Sequence, residues 1–290
     1  MHRFYIPPEN WNPSAPVLRE SEVHHARDVL RLKLGEKAVL FNGRGREMTA
    51  EALEIGRAEI RFRKLHESET PPLRCRITLG QAIPKGKNMD LIVQKAVEIG
   101  AADIVPLISE RTIVDIDPKD AARKQAKWQQ VAIEAAKQCG QNWLPQVHPP
   151  QKLKDFFASA SSSVAAVYDR RAREAASFPS SVVAGVSPAS SVFDLRLIGS
   201  LQSDARHLKQ ILADYSPGGR RAVGASDDIA AQGDRPKSVL MLIGPEGDFT
   251  PAELSLAKTH GCIPITLGPI ILRVETAAIY CLSVLSYELL

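Results

Sequence analysis

The chain has 290 residues, 44% apolar and 24% charged, with 37 Lys and Arg against 33 Asp and Glu. That length exceeds one typical domain of roughly 100 to 200 residues and predicts two, and the apolar share is ordinary for a soluble protein with a sizeable core. The net charge of +4 permits nucleic acid as a partner without demanding it. Cys75, Cys139, Cys262 and Cys281 lie far apart with no C-x-x-C, so neither a zinc site nor a disulfide framework is indicated, and no metal is expected. The start, Met1 to Pro8, has no apolar signal core, and the longest apolar stretch, Thr276 to Tyr287, is too short to cross a bilayer. The expectation is a cytoplasmic protein in a reducing compartment, or one whose targeting segment has been removed.

Residues 1–70 read as a small β-rich unit with one early helix. Ser21 is placed to cap a helix over Glu22 to Leu32, with Val23, Ala26 and Leu30 on one face. Short strands are predicted at Ala38 to Phe41, Met48 to Ile55 and Ala58 to Leu65, and Asn42-Gly43-Arg44-Gly45 is a hairpin turn signal. Arg27, Arg31 and Lys33 either form a basic edge or serve structure alone, since 12 Lys and Arg face 11 Asp and Glu in this unit.

Glu67 to Pro72 reads as a linker, and strands then alternate with helices. Cys75, Ile77 and Leu79 alternate as in a strand, Met89 to Gly100 carries a helical period, and Asp103 to Ser109 is again strand-like. Asp117-Pro118 starts a helix whose buried stripe is Trp128, Val131, Ala132, Ala135, Ala136 and Cys139. Val164 to Tyr168 and Ser238 to Ile243 supply further strands, so a mostly parallel sheet covered by helices is expected. Ser159 to Ser200 is rich in Ser and Ala and resists this reading. Asp214 to Lys237 lacks apolar periodicity and is expected to be a mobile surface loop, dispensable for catalysis.

The strand Ser238 to Ile243 stops at Gly244-Pro245, and Thr250-Pro251-Ala252-Glu253 opens a helix with the residues of a capping box. That helix ends at Gly261, a strand runs from Ile263 to Leu267, and a second turn follows at Gly268-Pro269. The two adjacent strand-ending glycine-proline turns are expected to form one pocket at the carboxyl edge of the sheet, where open α/β proteins bind ligands. Neither turn is a phosphate cradle: there is no G-x-G-x-x-G, and Gly80 to Lys87 ends before Asn88, where a Walker A motif needs Ser or Thr.

GPEGDFT, followed by ITLGPIILRVETA (Ile265 to Ala277), resembles the paired C-terminal motifs of the bacterial 16S ribosomal RNA uridine N3-methyltransferases, the RsmE family within the SPOUT superfamily. The resemblance extends to His2 to Tyr5, Leu79 to Gly100, Ile104 to Thr112 and Trp128 to Gln141, in the family's order, and fails across Ser159 to Lys237. It implies an N-terminal PUA-like β-barrel over residues 1–70 that holds RNA. It also implies an α/β SPOUT domain over residues 74–290, tied in a trefoil knot and working as a homodimer. The implied cofactor is S-adenosylmethionine, held by Leu242, Ile243, Gly244, Pro245, Glu246, Gly247, Leu267, Gly268, Ile271, Leu272, Arg273 and Ala277. Three positions depart from the family pattern: Asp248 stands where a second Gly is common, Ile270 where Arg is common, and Gln141 replaces a frequent Arg. Asp tolerates a left-handed backbone better than most residues.

The implied reaction methylates N3 of a uridine in 16S ribosomal RNA or the small ribosomal subunit. N3 must lose its proton, and the base must be unpaired or flipped out. Arg273 is the candidate cation for the developing negative charge; its alternative is a salt bridge to Glu275 or Glu246. Glu246 holds the cofactor, orients Arg273, accepts a proton or caps backbone N–H groups. Glu98 and Gln138, read on the buried sides of their helices, line a base pocket or make structural bonds. Arg74, Arg76, Lys85, Lys87 and Lys95 run against Asp90 alone and, with Arg111, make a candidate phosphate track. The competing readings are a related knotted methyltransferase acting on another base or on ribose 2′-oxygen, and a non-catalytic RNA-binding protein with a decayed cofactor site. The final helix, apolar around nearly its whole circumference, is expected to bury a second side in a dimer.

Overall fold

The N-terminal unit is built on β1 (His2–Tyr5), β2 (Val17–Arg19), β3 (Lys37–Phe41), β4 (Arg46–Ile55) and β5 (Glu59–Glu69), in the order β1–β3–β4–β5–β2. In this computed structural model, which describes residues 1–112, 117–160, 193–215 and 235–290, the β1–β3 pair is parallel and the others antiparallel. The end strands β1 and β2 do not pair with each other. Phe4 from one and Leu18 from the other share a core with Val23 and Ala26, so packing by α1 (Ser21–His24) and the turn after it completes the unit. The hairpin forms where expected: Gly43 and Gly45 take φ of +70° and +87°, and Asn42 Oδ1 accepts from Arg44 N and Arg46 N at 2.8 and 3.1 Å.

Tertiary contacts overrule the sequence pattern at two places here. The early helix is shorter than Glu22 to Leu32: after His24 it widens, with Leu30 N bonded to His25 O, and Ser21 is its first residue rather than its cap. Glu22 is turned inward, accepting from Tyr5 N at 3.3 Å and from Lys137 Nζ. Burial pushes the Glu22 carboxyl up, and the Lys137 ammonium offsets part of that. Strand β5 runs on through Glu67 to Glu69, read as linker, because Arg46, Glu47 and Met48 of β4 pair with those residues.

The second unit comprises β6 (Arg76–Ala82), α2 (Asn88–Ile99), β7 (Asp103–Ile108), α3 (Pro118–Cys139), β8 (Gln146–Val147), β9 (Gln151–Lys152), α4 (Leu153–Ala160), β10 (Leu195–Gly199), β11 (Arg206–His207), α5 (Leu208–Ala213), β12 (Ser238–Ile243), α6 (Pro251–Thr259), β13 (Ile263–Thr266) and α7 (Val274–Leu289). Its strands lie in the order β11–β13–β10–β12–β6–β7–β8, with β9 beside β7, and every pairing is parallel. Strand β12 shows why. It is buried along its whole length, and its side chains alternate: Val239, Met241 and Ile243 enter the core with α2, α3 and α7, while Leu240 and Leu242 enter the core with α4 and α6. A strand buried on both faces belongs inside a parallel sheet, and each fully buried Leu or Val contributes roughly 1.5 to 3 kcal/mol.

The helix signals act as read. Asp117 caps α3 by accepting from Asp120 N at 2.7 Å, and Gly100 and Gly140 end α2 and α3 in left-handed conformation. Cys139, placed in the buried stripe of α3, is exposed, because the last turn of α3 directs Ala136 and Lys137 inward instead. The two units meet along that end of α3: Lys137 pairs with Glu22, Arg3 donates to Asn142 Oδ1 at 2.7 Å, and Trp143 Nε1 donates to Thr70 O at 2.9 Å. The strand predicted at Val164 to Tyr168 and most of the Asp214 to Lys237 segment lie outside the described residues.

Candidate active site

Both glycine-proline turns stand at carboxyl ends of sheet strands, but β12 and β13 are not neighbours: β10 lies between them. The three strand ends open on one cavity of about 490 Å³, lined by both turns, by Gly199, Ser200 and Leu201 after β10, and by the start of α7. That volume is in the range of small-molecule pockets, at the place where parallel sheets bind ligands. Of the expected cofactor residues, Ile243, Gly244, Pro245, Glu246, Leu267, Gly268, Ile271, Leu272, Arg273 and Ala277 line it. Leu242 does not, because the pleat turns its side chain into the core with α4 and α6. Gly247 does not either; its carbonyl accepts from the Arg111 guanidinium outside the cavity. Sequence reading missed Asn88, Gly199, Ser200, Leu201, Thr266 and Glu275. The alternation of Phe193, Leu195 and Leu197, ending at Gly199, was the available signal for β10, hidden behind a Ser- and Ala-rich segment.

The first turn is held on every side. Thr250 and Glu253 form the capping box of α6, and buried Glu253 also accepts from Ser109 Oγ and Glu110 N, both at 3.0 Å, which ties the turn to the end of β7. Asp248 sits at φ +61°, the left-handed conformation that a Gly would supply at this position. Glu246 is exposed and accepts from Lys85 N at 2.9 Å. A Cβ on Gly244 would lie 3.1 Å from Phe249 N, so a side chain there would require the backbone folded over it to give by a few tenths of an ångström.

The second turn is held by little. Gly268 adopts φ +126°, a conformation almost confined to Gly, and Gly268 and Thr266 are linked through the Thr266 hydroxyl. Ile270 and Ile271 are 74% and 76% exposed. Arg273, at the N-cap of α7, is exposed, and its guanidinium has no hydrogen-bond or ion-pair partner among the described residues. The alternative salt bridge to Glu275 or Glu246 is therefore not formed: Glu275 accepts from Asn88 Nδ2 at 3.3 Å, and Glu246 is engaged by Lys85 N.

A family model described as an RNA methyltransferase domain matches residues 71–193 and 203–286, and one described as an RNA methyltransferase PUA domain matches residues 18–65. The chain belongs to this RNA methyltransferase family. It is 26% identical over 269 residues to the Ribosomal RNA small subunit methyltransferase E of Bacillus subtilis (strain 168), covering 92% of this chain and 88% of that one. A protein of Legionella pneumophila, solved in complex with the bound cofactor SAM, is 31% identical with a TM-score of 0.72, covering 98% of this chain and 96% of that chain. The Ribosomal RNA small subunit methyltransferase E of Neisseria gonorrhoeae, bound to S-adenosyl methionine, is 28% identical with a TM-score of 0.70, covering 99% and 97%.

In this RNA methyltransferase the expected base-pocket pair stands away from the cavity. Gln138 is exposed on α3, one position past buried Lys137, and Glu98 is half-buried on α2 with Lys95 bonded to it at 2.7 Å. Both helical phases were read one position too far toward the core. The expected RNA cations divide by their pairing. Arg31, Lys33, Lys85 and Lys87 are exposed, the last two just before α2. Arg27 is bonded to Asp28, which holds that carboxyl down at about 2, Lys95 serves Glu98, and Arg111 holds Gly247. Among the described residues no group of three or more His, Cys, Asp or Glu can hold a metal ion, and no helix is long and apolar enough to cross a membrane.

Proposed function

We propose that this RNA methyltransferase transfers a methyl group from S-adenosylmethionine to N3 of a uridine in 16S ribosomal RNA of the small subunit. The observation that carries the reading is an unpaired guanidinium, Arg273, at a cavity built from three parallel strand ends. The names of the Bacillus and Neisseria relatives support the substrate class, and the cofactor in the Legionella and Neisseria structures supports the methyl donor.

The cavity suits that donor. Ile243, Leu267, Leu272 and Ala277 offer apolar walls for a nucleoside, the turn backbones offer N–H and C=O groups, and the carboxylates of Glu246 and Glu275 offset positive charge. When bound, S-adenosylmethionine supplies an electrophilic sulfonium methyl. Arg273 stabilises the negative charge that gathers on the uracil oxygens as N3 loses its proton, and Glu246 Oε2, which has no partner among the described residues, accepts that proton. Lys85 and Lys87 hold phosphates beside the cavity, and Arg31 and Lys33 hold RNA on the PUA-like unit. The same reading includes cytoplasmic action, the trefoil knot and a homodimer. Helix α7 buries Ala278, Cys281, Leu282 and Leu285 on one face only, and the opposite stripe of Thr276, Tyr280, Ser283 and Tyr287 is exposed for a second copy.

Arg273→Ala is expected to lower the single-turnover rate about a hundredfold, or ~3 kcal/mol, with cofactor affinity nearly intact. Arg273→Lys keeps the charge without the planar fork and recovers part of the rate. Weakened cofactor binding with unchanged turnover at saturation would make Arg273 a loop clamp instead. Ribosomal RNA from a strain lacking the protein should lack one N3-methyluridine; loss of a 2′-O-methyl nucleoside in its place would move the substrate to ribose.

A further inference from the structure

The cavity has a third wall that neither turn supplies. Because β10 lies between β12 and β13, the residues leaving its end, Gly199 to Leu201, pass between the two turns. Ser200 N donates to Ile265 O at 3.0 Å, on the side of the second turn. Leu201 N donates to Asp248 Oδ2 at 3.1 Å, on the side of the first. Leu201 is 62% exposed, so burial of its side chain does not fix it. The other Asp248 oxygen, Oδ1, accepts from Phe249 N at 2.8 Å within its own turn. One carboxylate therefore uses each oxygen for a different loop.

We propose that Asp248 is a positioning residue that latches the Gly199–Leu201 wall to the first turn ahead of cofactor binding, and so sets cofactor affinity rather than the chemical step. The proposal rests on reading the cavity as the S-adenosylmethionine site. Its logic is pre-organisation: a wall already fixed costs less to order when a ligand arrives. A Gly at this position would satisfy the left-handed backbone and supply no acceptor. An Asn would supply one oxygen and one NH₂ group, so one of the two N–H donors would face another donor. Neither replacement reproduces a two-oxygen latch.

The test compares the full-length wild type with Asp248→Gly and Asp248→Asn by amide hydrogen exchange without cofactor, by calorimetry with S-adenosylmethionine, and by single-turnover methyl transfer. In Asp248→Gly the Leu201 amide should exchange on the order of tenfold faster, while the amides of Leu240 and Met241 in β12 keep their protection. The dissociation constant for S-adenosylmethionine should rise about tenfold in Asp248→Gly and about threefold in Asp248→Asn. Single-turnover rates at saturating cofactor should stay within about twofold of wild type. Unchanged Leu201 exchange, unchanged affinity, or a lost rate with intact affinity would each overturn the latch. A general loss of β12 protection would overturn it too, by making Asp248 a residue of the fold alone. If the wild type takes up no S-adenosylmethionine, the cofactor reading fails and the affinity half of the proposal with it, while Leu201 exchange still decides whether the latch exists.

Discussion

The turn after β12 and the turn after β13 share Gly-Pro chemistry and one cavity, and the chain braces them very differently. Around the first, Arg111 holds Gly247, Lys85 N holds Glu246, Asp248 bonds two loops, and Glu253 ties the following helix to the end of β7. Around the second, bonds run between Thr266 and Gly268, and two isoleucines face solvent. The cavity thus has one wall braced from several sides and one wall braced by little. Arg273 follows the less braced wall, which suits the role proposed for it, one that begins when substrate is present.

Substitutions at the two turns should separate these walls. The largest effect is expected for Gly244→Ala, whose Cβ would meet Phe249 N at 3.1 Å and Asp248 C at 3.3 Å, both backbone atoms in the braced turn that have little room to yield. A loss of about 2 kcal/mol in stability is expected, with a parallel loss of cofactor affinity, read by denaturant melting and calorimetry. Gly268→Ala meets nothing within 4 Å, so its penalty comes from the backbone at φ +126° alone. Because nothing packs against the added methyl, about 1 kcal/mol is expected in melting; a cost above that of Gly244→Ala would reverse the comparison. Ile270→Arg should change stability by less than about 0.5 kcal/mol. It should also steepen the salt dependence of RNA binding by about one counterion, since the side chain is exposed at the cavity mouth. A large drop in melting temperature would show that Ile270 is packed after all.

The same contrast explains what was legible in the sequence. Features set by neighbours in the chain could be read: the β12 run ending at Gly244, the Thr250 to Glu253 capping box, the Asp117-Pro118 helix start and the Asn42 to Gly45 hairpin each form as expected. Features set by distant partners could not. Strand β10 has a short alternating signal behind a segment of poor periodicity and gains its place from pairing with both β12 and β13, so the Gly199 to Leu201 wall was missed. Glu22 leaves the helical pattern for Lys137, more than a hundred residues on. Helical phase alone put Gln138 inside, although Lys137 is the buried residue there. Half of the cavity was found, because ten of its twenty lining residues sit in two short motifs. Of the other ten, six lie in the same motifs, and Asn88, Gly199, Ser200 and Leu201 come from elsewhere in the chain.

The most direct test uses the purified protein, S-adenosylmethionine carrying a deuterated methyl group, and small ribosomal subunits from a strain lacking this protein. Digestion to nucleosides and mass spectrometry then locate the transferred methyl. A deuterated methyl on uracil N3 of 16S ribosomal RNA, formed about a hundredfold more slowly by Arg273→Ala, is the predicted result. A deuterated methyl on ribose or on another base, or wild-type transfer by the Arg273 variant, would contradict it.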